Sequence, residues 1–559
     1  MSKRREGGDA YIYLDYRKKD RNKAIKTVLQ LVFLAVVSYM LYHAIFDVKR
    51  YAEPERVQWT SDNGFIALSY FGVARSGTNE LISKNMLEQH LQALYDNGYR
   101  TISQQDVLDY YLHGQKLPEK ALFLAFEDGR NDSSLFSQPL LEKVNFKATI
   151  LSYANKVGSK EKKFLQPKDM KKMVKTGYWE LGSNGYRLTY INIMDKAGKL
   201  IGIKDENEFK DRDSIAYYNH YLMDFIRDAE DVPTENRQEM EARINGDYDQ
   251  MRDIYTRTLG AVPNVYMIMH ANSLYGGMNR LVENVNDQRI RELFGLHFNR
   301  EGYALNDQSD DRYDLNRVQP ASYWYTNHLL MKLNKDSGEQ MSFVTGDQQR
   351  AASWRSINGA AEFIENRIAL TSPPAEEGML YLTGSDDYKN IKLSVTLTGH
   401  KLGQQRVYMR YDRRSYSYLS AAIADNELII EQRQAGSAPE SLYVIPLDEA
   451  ESGAAKRLVL TLAGAQLTVE VNDKLLLAGG EVAESLQSGG IALGAAASEA
   501  NMKDDIYDAV FEAMKVEATD EAGKPEKVLY RNHYSGLDGL ISRVRNAINA
   551  SFNWAIDTF

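Results

Sequence analysis

The chain has 559 residues, a formal net charge of −9, 26% charged and 43% hydrophobic residues, and no cysteine. That length points to two or three domains with cores of their own, and the composition to a folded chain. The acidic balance excludes a nucleic-acid surface, and the missing thiols exclude thiol catalysis, thiolate metal sites and disulfides.

Val28 to Phe46 reads VLQLVFLAVVSYMLYHAIF, an uncharged run preceded by Arg17, Lys18, Lys19, Arg21, Lys23 and Lys26. At about 1.5 Å per residue it reaches roughly 28 Å, close to the thickness of a hydrocarbon core. The expectation is a cytoplasmic tail at 1–27, a transmembrane helix at 28–46 and a linker at 47–64. The basic flank places the remainder on the far side of the cell membrane.

FIALSYFGV (65–73) has strand character, and 86–99 and 104–115 carry helical spacing ended by Asn97-Gly98 and Gly114. ALFLAF (121–126) reads as a buried strand, 134–145 as a helix, 146–154 as a strand, 165–178 as a helix and 178–184 as a strand with a turn. Such alternation predicts parallel strands covered by helices, with ligand chemistry at the carboxyl ends of the strands. Residues 203–262 are charged and expected to be helical, NVYMIM (264–269) is a further strand, and DLNRVQP (314–320) the last of this domain. From about Ser342, short alternating segments split by Gly, Asn and Asp predict a β-sandwich, closed by DAVFEAMKVE at 508–517. From Gly536 to Phe559, Leu537, Leu540, Ile541, Val544, Ile548, Phe552 and Ile556 line one face of an amphipathic helix. The expected domains are 65–335, 342–518, and a linker with helix over 519–559.

At FLAFEDG an apolar run ends in Glu127 and Asp128, two carboxylates at a turn, the arrangement in which hydrolases present a metal ligand or a general base. The order of elements around it resembles the polysaccharide deacetylase family, carbohydrate esterases that remove acetyl groups from glycans. NMLEQHLQALYDNGYRTIS is similar to that family's lead-in helix and strand, TRTLGAVPNVYMIM to the stretch carrying its third motif, and DLNRVQP to its late strand with Arg317. The resemblance covers about 65–330 and implies a distorted β/α barrel. It also implies a general base at Glu127, a metal ligand at Asp128, and two metal histidines at the second motif. Here those histidines fall on Asn184 and on Leu188 or Thr189, and no histidine lies between His113 and His220. One ligand in three remains, and zinc or cobalt favours imidazole nitrogen. The expectation is a pseudoenzyme without a cofactor. The alternative is an active esterase with zinc or cobalt on Asp128 and His270.

Asn184, Tyr186, Arg187 and Tyr275 fall on loops that would line a glycan groove. Residues 342–518 resemble concanavalin/laminin-G-like jelly rolls, in which Tyr411 and Tyr416 on one hairpin are candidates to stack on sugar rings. The fold class expected is thus an α/β deacetylase-type (distorted β/α barrel) domain, an all-β jelly-roll sandwich and one N-terminal transmembrane helix. The partners expected are a polysaccharide, the membrane and a membrane glycan synthase, with no nucleic acid. A protein–protein scaffold, docking through the C-terminal helix, is the third reading.

Overall fold

The computed structural model describes residues 16–46, 49–208, 214–268, 274–448 and 453–532, together with 541, 544 and 547, which are helical. The chain divides into two compact units, Met1–Tyr51 and Ala52–Phe559. The first unit is built on helix α1 (Tyr16–Phe46). Its first three turns are charged, and its described apolar side chains, among them Val28, Leu31, Phe33 and Val36, are exposed. Among the described residues no helix is long and apolar enough to cross a membrane, so the transmembrane helix expected at 28–46 is not borne out. Most of the amphipathic helix expected at 536–559 lies outside the described residues.

The second unit begins with a barrel of parallel strands. Its main strands are β1 (Phe65–Tyr70), β2 (Ala121–Phe126), β3 (Ala148–Tyr153), β4 (Trp179–Gly185), β5 (Val265–Met267), β6 (Leu296–Glu301) and β7 (Leu315–Arg317). Each pairs in parallel with the next. A parallel bridge between Leu68 and Val318 brings the end of β7 back to β1 and closes the ring. Every residue of β1, β2 and β3 is buried, as expected of parallel strands covered on both faces. The covering helices start where the sequence supplies caps. Helix α2 (Lys84–Asp96) is capped by Ser83, and α3 (Gln104–His113) by a box of Ser103 and Asp106 that ends on left-handed Gly114. Helices α4 (Asn131–Val144), α5 (Pro167–Val174), α6 (Arg237–Leu259) and α7 (Arg280–Leu293) follow, and α8 (Thr326–Ser337) ends the barrel.

One expected helical region is different. Of 203–262, α6 is the regular helix, whereas Leu200–Asp205 and Ile215–His220 flank Thr189–Asp195 in a three-stranded antiparallel sheet. Half-buried and exposed residues alternate along Leu200–Asp205, with Ile201, Ile203 and Asp205 outward, which is strand periodicity in burial that no apolar–polar alternation of the sequence marks.

Beyond residue 354 two antiparallel sheets of seven and eight strands pack face to face around Leu393, Val407, Leu419, Leu460, Leu493 and Phe511. Asp508–Thr519 lies inside its sheet rather than closing it, between Arg367–Thr371 and Ile391–Thr398, and Pro525–Arg531 pairs with its later half. The barrel meets this sandwich through α8. His328 holds Asp508 at 3.0 Å through Nδ1 and Asp504 at 2.9 Å through Nε2. Lys335 pairs with Asp505 at 2.7 Å, and the Tyr325 N–H donates to Asp508 at 2.9 Å.

Candidate functional site

The apolar strand β2 runs out at Phe126, and the next two residues place their carboxyls at the carboxyl end of the barrel. The Glu127 N–H still donates to Tyr70 O (2.9 Å), so Glu127 continues the ladder with β1, while Asp128 (φ 64°) and Gly129 (φ 60°) turn the chain through the left-handed region. Glu127 is 1% exposed. Its Oε1 accepts from Ser69 Oγ (2.7 Å) and Gln319 Nε2 (2.9 Å), and Arg317 Nε stands 3.4 Å away, itself buried. The residue at the position of the expected general base is therefore fixed from three sides.

Asp128 is 5% exposed and differently placed. Its N–H donates to Asn184 Oδ1 at 3.1 Å, but its own Oδ1 has no hydrogen-bond partner. Burial, then the charges of Glu127 and Glu206, push its carboxyl up to about 7, with Arg130 and Lys163 opposing. The Tyr153 hydroxyl at the end of β3 is also buried without a partner, and burial and the Asp128 and Glu127 charges push its pKa well above the ordinary phenol value.

The metal implied by the deacetylase resemblance needs Asp128 and two imidazoles. Asn184 Oδ1 is engaged by the Asp128 N–H and its Nδ2 donates to Met267 O at 3.1 Å, so the amide is committed at both ends. Leu188 is buried and apolar, and the Thr189 hydroxyl donates to Asp205 at 2.5 Å. His220, the next histidine along the chain, sets Nε2 3.2 Å from the Arg187 carbonyl. Among the described residues no group of three His, Cys, Asp or Glu side chains is arranged to hold a metal ion. The second-motif residues do not fit the family's metal. His270 lies outside the described residues.

The remaining candidates separate. Asn184 meets the acidic pair. Arg187 pairs with Asp247 at 3.3 Å and lies over the rings of Tyr186 (5.4 Å) and Tyr221 (4.5 Å), a packed cluster rather than an open platform. The Tyr275 hydroxyl is held by Asp287 and by Arg291. In the sandwich Tyr411 is 5% exposed, packed with Tyr381 and Tyr408, so it has no free face for a sugar; Tyr416 on the same hairpin is exposed. A left-handed Arg410 and the register break between Met409 and Asp412 put Tyr411 on the same face as Tyr408, against the simple alternation of a strand. Sequence reasoning missed Ser69, Gln319 and Tyr153. Ser69 left a faint signal as the one small polar residue of an otherwise apolar strand.

No protein-family profile matches the chain. YxkH of Bacillus subtilis (strain 168), named as a polysaccharide deacetylase, is 31% identical over 110 residues, which are 20% of this chain and 38% of that protein. Among solved structures, a de-N-acetylase from Aggregatibacter actinomycetemcomitans is 19% identical, with 46% of this chain and 96% of that one covered at a TM-score of 0.36. IcaB from Ammonifex degensii is 20% identical over 47% and 93%, with a TM-score of 0.34. The carbohydrate binding module CBM66 from Bacillus subtilis is 14% identical over 30% and 96%, with a TM-score of 0.25. The chain thus resembles a polysaccharide deacetylase over 110 residues and spans well under half of that relative's length.

Proposed function

We propose that this protein binds a polysaccharide with a deacetylase-like barrel that no longer hydrolyses it, as an accessory to a polysaccharide synthesis or secretion system. The observation that carries this reading is Asn184, bound at both ends of its amide where the family's first metal histidine would stand. Without a metal, water keeps a pKa of about 15.7 instead of about 7, and the Lewis acid for the oxyanion is missing. A general base alone contributes roughly 10²–10⁴-fold, too little for amide hydrolysis. Homology to a polysaccharide deacetylase supports a glycan as the ligand.

One observation favours the active alternative. Asp128 keeps an unpartnered oxygen and a carboxyl raised to about 7, properties of a functional acid or base. In that reading Asp128 and His270 share a zinc or cobalt ion. The deciding experiment measures metal content of the purified protein and acetate release from acetylated glucosamine oligomers with added zinc or cobalt. The expected result is oligomer binding with neither stoichiometric metal nor acetate. Acetate release together with metal that is lost in Asp128→Ala would replace the binding reading with the enzymatic one.

A further inference from the structure

On the face turned away from the core, the eight-stranded sheet of the sandwich carries a depression of about 280 Å³. Arg457, Lys515, Arg531, Ser394 and Thr396 line it, and no carboxylate stands among the described lining residues. Strand register brings them together. Arg531 lies directly opposite Lys515, Lys515 opposite Ser394, and Arg457 opposite Thr396. Burial alternates along Ile391–Thr398, which turns the Ser394 and Thr396 side chains outward, and all three cations are exposed or half-buried. Between the pairs Ser394–Lys515 and Thr396–Glu512, the strand Asp508–Thr519 holds one residue more than its neighbour, and Ala513 there is left-handed at φ 52°. Such a bulge bends its strand and re-aims the side chains beside it, and Ala513 itself lines the depression. Asn532 fixes the rim next to Arg531: its N–H donates to Met514 O and its Nδ2 to Asn366 O, both at 2.8 Å.

Lys515 pairs with Glu517 at 2.6 Å, and Arg457 with Asp473, but the Arg531 guanidinium has no partner among the described residues. The hydroxyls of Ser394 and Thr396 have none among them either. Glu512, the other carboxylate nearby, lies opposite Arg367 as well as Thr396. Like charges directly opposite each other destabilise a sheet. A chain with a net charge of −9 has ample carboxylates to separate them, so the Lys515–Arg531 pair calls for an anion from outside.

We propose that this depression binds a phosphate monoester, with Arg531, Lys515 and Arg457 as charged donors and Ser394 and Thr396 as neutral ones. A terminal phosphate carries about −1.5 to −2 charge and three acceptor oxygens, against one charge and two oxygens for a carboxylate. Donors arriving from four neighbouring strands match the first better than the second. An arginine fork also meets phosphate oxygens two at a time. The volume, just under that of ordinary small-ligand pockets, takes the phosphate and about one sugar-sized ring. The site is separate from the acidic pair of the barrel and does not depend on what the barrel binds.

Isothermal titration of the full chain with glucose 1-phosphate, inorganic phosphate and glucuronate tests it. Both phosphates are expected to bind, and glucose 1-phosphate at least about tenfold more tightly than glucuronate. Arg531→Gln and Lys515→Gln are each expected to weaken glucose 1-phosphate about tenfold, as loss of a charge-assisted hydrogen bond does, and Ser394→Ala about two- to fivefold. Arg414→Gln removes an exposed cation from a turn of the seven-stranded sheet and should leave the affinity unchanged. Absence of binding by either phosphate overturns the proposal, as does unchanged affinity in Arg531→Gln. An equal loss in Arg414→Gln overturns it by showing that net charge alone attracts the anion. Glucuronate binding as tightly as glucose 1-phosphate overturns the choice of phosphate over carboxylate, and inorganic phosphate binding more tightly than the ester overturns the monoester. Thermal melts accompany each variant. Should Lys515→Gln fail to fold, Arg531→Gln, exposed on the last strand of the sheet, carries the test.

Discussion

Asp128 combines burial, a neighbouring carboxylate and an unpartnered oxygen, and its carboxyl rises from 3.8 to about 7 as a result. A carboxyl raised in the folded state holds its proton more tightly there than in the unfolded chain. Its stabilising contribution is therefore full below about pH 4 and is lost as pH rises toward 7. Asp128→Asn, which keeps the shape without the charge, should gain on the native protein over that window by up to roughly 4 kcal/mol. Urea unfolding of both proteins at pH 4.5 and pH 8 measures this, and a difference that does not change with pH would refute the assignment. The position of this pair was legible in the sequence because six apolar residues run directly into two acids and a glycine, and Asn184 because it occupies the second motif. Ser69 and Gln319 were not, since they reach Glu127 from 58 and 192 positions away and only closure of the barrel brings them together.

The turn after β2 holds the acidic pair in place, and it depends on Gly129. At φ 60° a Cβ there would stand 2.8 Å from Ser152 Cβ and 3.2 Å from Ser152 Cα at the end of β3. Backbone and side chain thus both oppose substitution, and β3 can move only by disturbing its pairing with β4. Gly129→Ala is expected to lose about 2–4 kcal/mol, the sum of left-handed strain of about 1 kcal/mol and overpacking of about 1–3 kcal/mol. A urea midpoint within error of the native value would show that β3 yields freely. The strands and helices of the barrel were legible because strongly apolar runs alternate with capped amphipathic segments. The excursion at 189–220 was not. Its outer strands are short and mostly half-buried or exposed, and the charged residues around them suggested a helix where backbone pairing with Thr189–Asp195 decides the structure. The apolar run of α1 was legible as a helix.

Barrel and sandwich were separable in the sequence by a change in texture near residue 342, yet nothing in that change foretold how they join. The joint is a charged residue buried between two others. His328 on α8 sits between Asp504 and Asp508 and stacks on Trp324 at 4.2 Å between ring centres. Burial lowers its pKa, but the two carboxylates outweigh burial and raise it from 6.5 to about 9. Nearby His90 on α2 goes the other way, to about 4, mainly through burial, and stays neutral. A histidine raised in the folded state contributes stability that is complete below about pH 6.5 and is lost as pH rises through 9. The shift corresponds to roughly 3 kcal/mol. Above pH 9, Asp504 and Asp508 face a neutral ring, and two buried carboxylates lose the charge that compensates them. Lys335 with Asp505 remains, but that pair is exposed and weak. Barrel and sandwich each have a hydrophobic core of their own, so weakening the joint should separate their unfolding rather than abolish either fold. Scanning calorimetry is expected to give one cooperative transition at pH 7 and two at pH 10. His328→Gln should give two at both values. A single transition in the variant at pH 7 would mean that apolar contacts along α2 and α8, and not the histidine clamp, bind the two domains into one unit.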